Sequence, residues 1–136
     1  MRGSLPFTSD IEKSWIRDAT AFRVEIEPER EAVRVCPVGE VDLGTAGRVR
    51  AAIQELIGAG FECVLLDLRR TTFLDSTGLR LALEIHALSS QDGWRFGLIE
   101  GPDDVQRAFD IAGLRSVLPF VNPSDIHRGP RSWGRQ

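Results

Sequence analysis

The chain has 136 residues, 42% hydrophobic and 27% charged, with a net charge of −3. This describes an ordinary single domain, large enough to bury one core. No apolar run approaches the roughly 18 residues of a membrane span, no basic footprint marks a nucleic-acid binder, and the N-terminus lacks the apolar core of a secretory signal, so a cytoplasmic protein is expected.

Residues 1–20 show no clean period. Phe7, Ile11, Trp15 and Ile16 would line one face of a short helix, and a partly ordered N-terminal extension is expected there. A domain is expected over residues 21–121. Phe22 to Glu27 alternates apolar and charged residues, the mark of a half-buried strand. Pro28 to Glu31 reads as a turn, and Ala32 to Val38 as a second strand, so the two form a hairpin. Pro37 suggests that this second strand is an edge or carries a bulge.

After Gly39 the period becomes helical: Val49, Ala52, Ile53, Leu56 and Ile57 recur at three- and four-residue steps, and Gly58-Ala59-Gly60 stops the run. Phe61 to Leu68 is nearly continuous in apolar residues and suits a central parallel strand. A helix follows from Ser76 to about Ser90. Trp94 to Ile99 alternates again as a fourth strand. Asp103 and Asp104 open another helix with acidic residues at its positive end, and Gly113 closes it. Ser116 to Val121 is a short closing segment. The tail, residues 122–136, is rich in Pro, Gly and Arg and is expected to be disordered. It sets Arg128, Arg131 and Arg135 against Asp125, leaving the rest of the chain more acidic.

The order β-β-α-β-α-β-α with a short final strand predicts an α/β sandwich. Its sheet would be mixed, with four to five strands, helices mainly on one face and right-handed crossovers. Cys36 and Cys63 fall in strand-like apolar segments. They read as buried reduced thiols, since the two histidines make no familiar metal-ligand spacing with them.

The chemistry concentrates in Asp75-Ser76-Thr77-Gly78-Leu79, between a buried strand and a helix. Asp75 is placed to cap that helix. Ser76 would then lie on its first turn, where free N–H groups and the helix dipole tolerate a phosphate. A partner pressed on the same corner would not. Gly78 either is merely small or leaves clearance for a partner, while Gly39 and Asp42 read as turn and cap residues. The helix after Ser76 has apolar residues on more than one stripe, so it is either deeply packed or docks a partner with its spare face.

The motif resembles the phosphorylation motif of the STAS domain, as found in bacterial anti-sigma factor antagonists. Three further stretches extend the resemblance over roughly residues 22–121. Val38-Gly39-Glu40-Val41-Asp42-Leu43 resembles the family's turn after the second strand. Asp67 to Leu74 resembles the lead-in to the serine, and Val105 to Leu114 with Leu118-Pro119-Phe120 resembles the last helix and closing segment. The resemblance implies a STAS-type sandwich and phosphorylation at Ser76, with Thr77 the rival acceptor. It implies a partner-binding surface of Gly39, Glu40, Asp42, Asp75, Ser76, Thr77, Gly78, Leu79 and Arg80. Many members have a small residue where this chain has Arg80, four residues after Ser76 and on the same helix face, suited to pair with the phosphate.

The implied role is partner switching in transcription and stress response. The unphosphorylated protein binds an anti-sigma factor that is a serine kinase of the histidine-kinase-like ATPase class. Phosphorylation releases it, and a serine phosphatase resets the switch. No catalytic, cofactor or metal site of the chain's own is expected, nor a nucleic-acid or membrane partner; whether two copies dimerise is left open. A non-switching STAS scaffold subunit of a transporter or stress-sensing assembly is the alternative. A hydrolase with Ser76 as nucleophile is disfavoured, because the Gly-x-Ser-x-Gly elbow is missing.

Overall fold

The alternation that begins at Phe22 becomes a hairpin of β1 (Phe22–Glu29) and β2 (Ala32–Val41), antiparallel along its whole length. Its turn puts Glu31 at a φ of 62°. The structure, a computed structural model, describes residues 22–130 and 133; the expected N-terminal extension lies outside the described residues. The remaining elements are α1 (Ala46–Gly58), β3 (Cys63–Asp67), β4 (Thr71–Leu74), α2 (Ser76–Asp92), β5 (Arg95–Ile99), α3 (Asp103–Ile111) and a 3-10 helix at Pro123–Arg128. None of the helices among the described residues is long and apolar enough to cross a membrane.

The sheet runs β1-β2-β3-β5, with β4 paired to β2 beyond the end of β3. Only β1 is antiparallel to its neighbour. All five residues of β3 are buried, as its continuous apolar character predicts for a strand flanked on both sides.

Of the two readings of Pro37, an edge or a bulge, β2 is not an edge strand and does carry an irregularity. It pairs with β3 through Val33–Val35 and with β4 through Gly39–Val41, and the register shifts between Gly39 and Glu40. Pro37 occupies the gap between those two partners, where a missing N–H leaves no ladder bond unmade. Its carbonyl accepts the Thr71 hydroxyl at 3.0 Å. The irregularity is therefore displaced to Gly39, whose φ of 117° excludes other residues without strain.

β4 was not among the expected strands. Its four residues lie in the run expected only as a connection to Ser76. The expected closing strand is, in turn, a single bridge between Leu98 and Phe120.

One face of the sheet carries the main core. Val33, Val35, Val64, Leu66 and Leu98 meet Val49, Ile53, Leu81, Ile85 and Phe109 from the three helices. Phe109 and Phe120 meet edge to face at 5.3 Å between ring centres. The opposite face has a second cluster of Ala32, Cys63, Leu65, Ile99, Val121, Ile126 and Trp133. The segment from Asn122, expected to be disordered, thus contributes two buried side chains through its described residues. Gly97 makes this seat. A Cβ there would lie 3.1 Å from Val121 Cγ1 and 3.3 Å from Trp133 Cε3. Both cysteines are free and buried. Burial pushes the Cys36 thiol up to about 11 and the Cys63 thiol up to about 12.

On the same face as Leu65 and Cys63, Asp67 joins two arginines. Arg69 donates to it through Nε at 3.0 Å and Nη2 at 2.8 Å, and Arg34 through Nη1 at 2.8 Å. Arg34 also binds Glu29. Burial alone would raise the Asp67 carboxyl, but the Arg69 and Arg34 hydrogen bonds outweigh it and hold the group below the usual value. A carboxyl lowered on folding stabilises the protein above its unfolded pKa, and that contribution disappears as pH falls through the folded one. Asp67→Asn is therefore expected to cost about 2 kcal/mol at pH 7, allowing for water around Arg69. The difference in thermal midpoint from wild type should close as pH falls below about 4. A gap that is constant with pH would exclude the ion pairs as its cause.

Candidate functional site

Two strand ends and one helix start meet at a single corner. Parallel pairing sets Glu40 against Phe73 and Val41 against Leu74, and the Asp75 N–H donates to the Val41 carbonyl at 3.3 Å. The loop after β2 and the start of α2 are thereby fixed to each other.

Asp75 takes an extended backbone, and its Oδ1 accepts the N–H groups of Thr77 at 2.9 Å and Gly78 at 3.2 Å. Two of the helix's free donors are satisfied in this way, for a contribution of about 1 kcal/mol. Ser76 is the first helical residue and is exposed; Thr77 is half-buried. The more accessible hydroxyl belongs to Ser76.

Gly78 is buried. A Cβ at this position would come within 2.6 Å of Leu74 Cγ. The small residue makes room for the chain's own leucine, so of the two readings of Gly78 the structure favours an internal cause. Leu79 is half-buried and packs on the main core. Arg80 is exposed and forms no ion pair among the described residues.

Across the corner, Asp42 Oδ1 accepts the Gly44 N–H at 3.0 Å. The Thr45 hydroxyl accepts the Asp42 N–H at 2.9 Å and donates to the Glu40 carbonyl at 2.6 Å. Asp42 is thus a turn-forming residue. Glu40 is exposed and Gly39 half-buried.

Two residues outside the expected surface belong here by position. Leu43 is 83% exposed and Phe73 is 49% exposed. Phe73 pairs with Glu40, and Leu43 follows Asp42 in the loop. Large apolar side chains held in water beside an exposed hydroxyl suit a docking surface. The outward phase of Phe73 became readable only with the strand β4. Along α2 most of the apolar surplus is packed: Leu81, Ala82 and Ile85 are buried, and Leu83 is the large apolar residue left 37% exposed. Arg50 of α1 clamps Glu84 of α2 through Nε at 3.1 Å and Nη2 at 2.7 Å. No group of three or more metal-ligating side chains occurs among the described residues.

The family profile of the STAS domain matches residues 23–125. The chain belongs to the STAS domain family. This STAS domain is 31% identical over 102 residues to the anti-sigma F factor antagonist of Paenibacillus polymyxa, a match covering 74% of the chain and 87% of that relative. Among solved structures it is similar to the anti-sigma factor antagonist SpoIIAA in its unphosphorylated form, with 25% identity and a TM-score of 0.61 over 77% of this chain and 91% of that one. The Bacillus cell fate determinant SpoIIAA in its phosphorylated form matches with 24% identity and a TM-score of 0.56, covering 77% and 95% of the two chains. The STAS match ends inside the 3-10 helix, beyond the Val121 boundary expected from the sequence.

Proposed function

We propose that this STAS domain is an anti-sigma factor antagonist whose docking surface is switched by phosphorylation of Ser76. The exposed Ser76 hydroxyl, on the first turn of α2 and three residues after the exposed Phe73 that pairs with Glu40, carries the proposal. Kinship with the Paenibacillus antagonist supports the general role, and the SpoIIAA fold exists in both phosphorylated and unphosphorylated forms.

In the unphosphorylated state the corner offers apolar contact area and the Glu40 carboxylate, beside the Asp42 turn and the Asp75 cap. The partner is an anti-sigma factor that is also a serine kinase of the histidine-kinase-like ATPase class, supplying its own ATP and magnesium. Asp75, held by the two N–H groups it caps, keeps the Ser76 backbone in one orientation for phosphoryl transfer. Phosphate then adds about −1.5 to −2 charge to a chain already acidic overall, and a serine phosphatase removes it. Incubation with ATP and such a kinase should add one phosphate mass to wild type and to Thr77→Ala, and none to Ser76→Ala. Labelling of Ser76→Ala would move the switch elsewhere.

Arg80 bears on the stability of the modified state. Helical side chains lean toward the N-terminus, so its guanidinium overlies the first turn and reaches a phosphate on Ser76. A paired cation favours the dianion and lowers the second phosphate pKa. Arg80→Ala should raise that pKa by about half a pH unit, as an exposed pair allows. Phosphorus NMR of the two phosphoproteins measures it, and an unchanged value removes the pairing.

A further inference from the structure

A cavity of about 540 Å³ opens between the C-terminal half of α2 and the segment following α3. Trp94, Phe96, Leu118 and Val121 give it an apolar wall, and His86, Arg95, Ser90, Ser116 and the Trp133 indole give it a polar one. Its titratable lining groups are a histidine and an arginine. Among the described residues no carboxylate lines it, in a chain whose net charge is negative.

Trp133 is 7% exposed, and its Nε1–H is buried without a hydrogen-bond partner. His86 Nδ1 is likewise buried and unpartnered. Buried polar atoms of native proteins are almost always paired, and an indole N–H can only donate. The Ser89 hydroxyl of the same lining donates to the His86 carbonyl at 2.7 Å. Arg95 gives Nη2 to the Pro130 carbonyl at 2.8 Å, which leaves its other guanidinium N–H donors without a protein acceptor among the described residues. The indole itself is held over Gly97, where a Cβ would crowd it.

We propose that this cavity binds a small organic carboxylate. Its anionic head accepts from Trp133 Nε1–H and faces Arg95 and His86, and its apolar body lies on Trp94 and Phe96. The volume is within the range of small-molecule sites, which combine apolar walls with a few converging polar groups. Ser89 lies thirteen residues beyond Ser76 along α2, about 20 Å at the helical rise. The site is therefore remote from the phosphorylation corner, and its occupancy can be read without reference to it.

Benzoate is the probe and benzamide its uncharged counterpart, titrated into the full chain labelled with nitrogen-15. The chain holds three tryptophans, so three indole N–H signals are expected, with Trp133→Phe and Trp94→Phe assigning two of them. Benzoate should move the Trp133 signal downfield and saturably, with a dissociation constant of about 1–10 mM for so small a ligand. Benzamide and the Arg95→Gln protein should bind at least about fivefold more weakly, because the charge-assisted contact is lost. His86→Gln gives the same comparison if Arg95→Gln fails to fold. No saturable movement by about 50 mM benzoate, or equal responses to benzoate and benzamide, would overturn the assignment.

Discussion

Phosphoserine at position 76 is expected to weaken binding to the anti-sigma partner by at least about a hundredfold, which requires only about 2.7 kcal/mol. Two costs supply it together. A dianion must shed water to enter the proposed interface around Leu43 and Phe73, and it must approach whatever acidic groups the partner sets against Arg80 and the free N–H groups of α2. The pairing proposed for Arg80 is expected to offset part of the first cost by neutralising the phosphate within its own chain. The domain itself should tolerate the modification, since the first turn of a helix favours negative charge. Calorimetric titration of partner into phosphorylated and unphosphorylated protein reads the difference. Ser76→Ala should bind like the unmodified chain and stay bound in the presence of ATP. Ser76→Asp, with a smaller charge and fewer acceptor oxygens, should lose only about tenfold. Equal affinity of the phosphorylated and unmodified proteins would refute the switch.

Deleting residues 122–136 should destabilise the domain by about 4 kcal/mol, because Ile126 and Trp133 each contribute about 2 kcal/mol by burial. Ile126 is 3% and Trp133 7% exposed, and both cover Leu65 and Ile99, which are fully buried. The thermal midpoint should fall by roughly 15 °C for a chain of this size. Ile126→Ala alone should account for about half of the loss. A midpoint within about 2 °C of wild type would mean that the tail does not pack on the sheet in solution.

The contrast between these two regions shows which features are legible in a chain. The corner at Ser76 could be placed from sequence because its determinants are neighbours: Asp75 caps the two N–H groups that follow it, and the apolar period of α2 begins immediately after. Gly93 and Gly113 end their helices with positive φ, again a one-residue property. The tail reads as disordered because Pro, Gly and Arg are what a disordered segment contains, whereas the seat of its described residue Trp133 is a hole made by Gly97, which local composition does not encode. Phe73 was passed over as a surface residue for the same reason, since its exposure follows from a pairing between β2 and β4 that no local pattern encodes.

By itself, the sequence determined the helix limits, the hairpin, the buried parallel strand and the place of Ser76 at a helix start. Each follows from propensity, capping or periodicity within one or two turns of chain. The tertiary structure alone decided the strand order, the short strand β4, the passage of Pro37 through the middle of a sheet, the Asp67 ion pairs and the cavity beneath Trp133. Apart from the Asp67–Arg69 pair, whose members are two residues apart, those features join segments distant in the chain, and their energy exists only once the loops between them have closed.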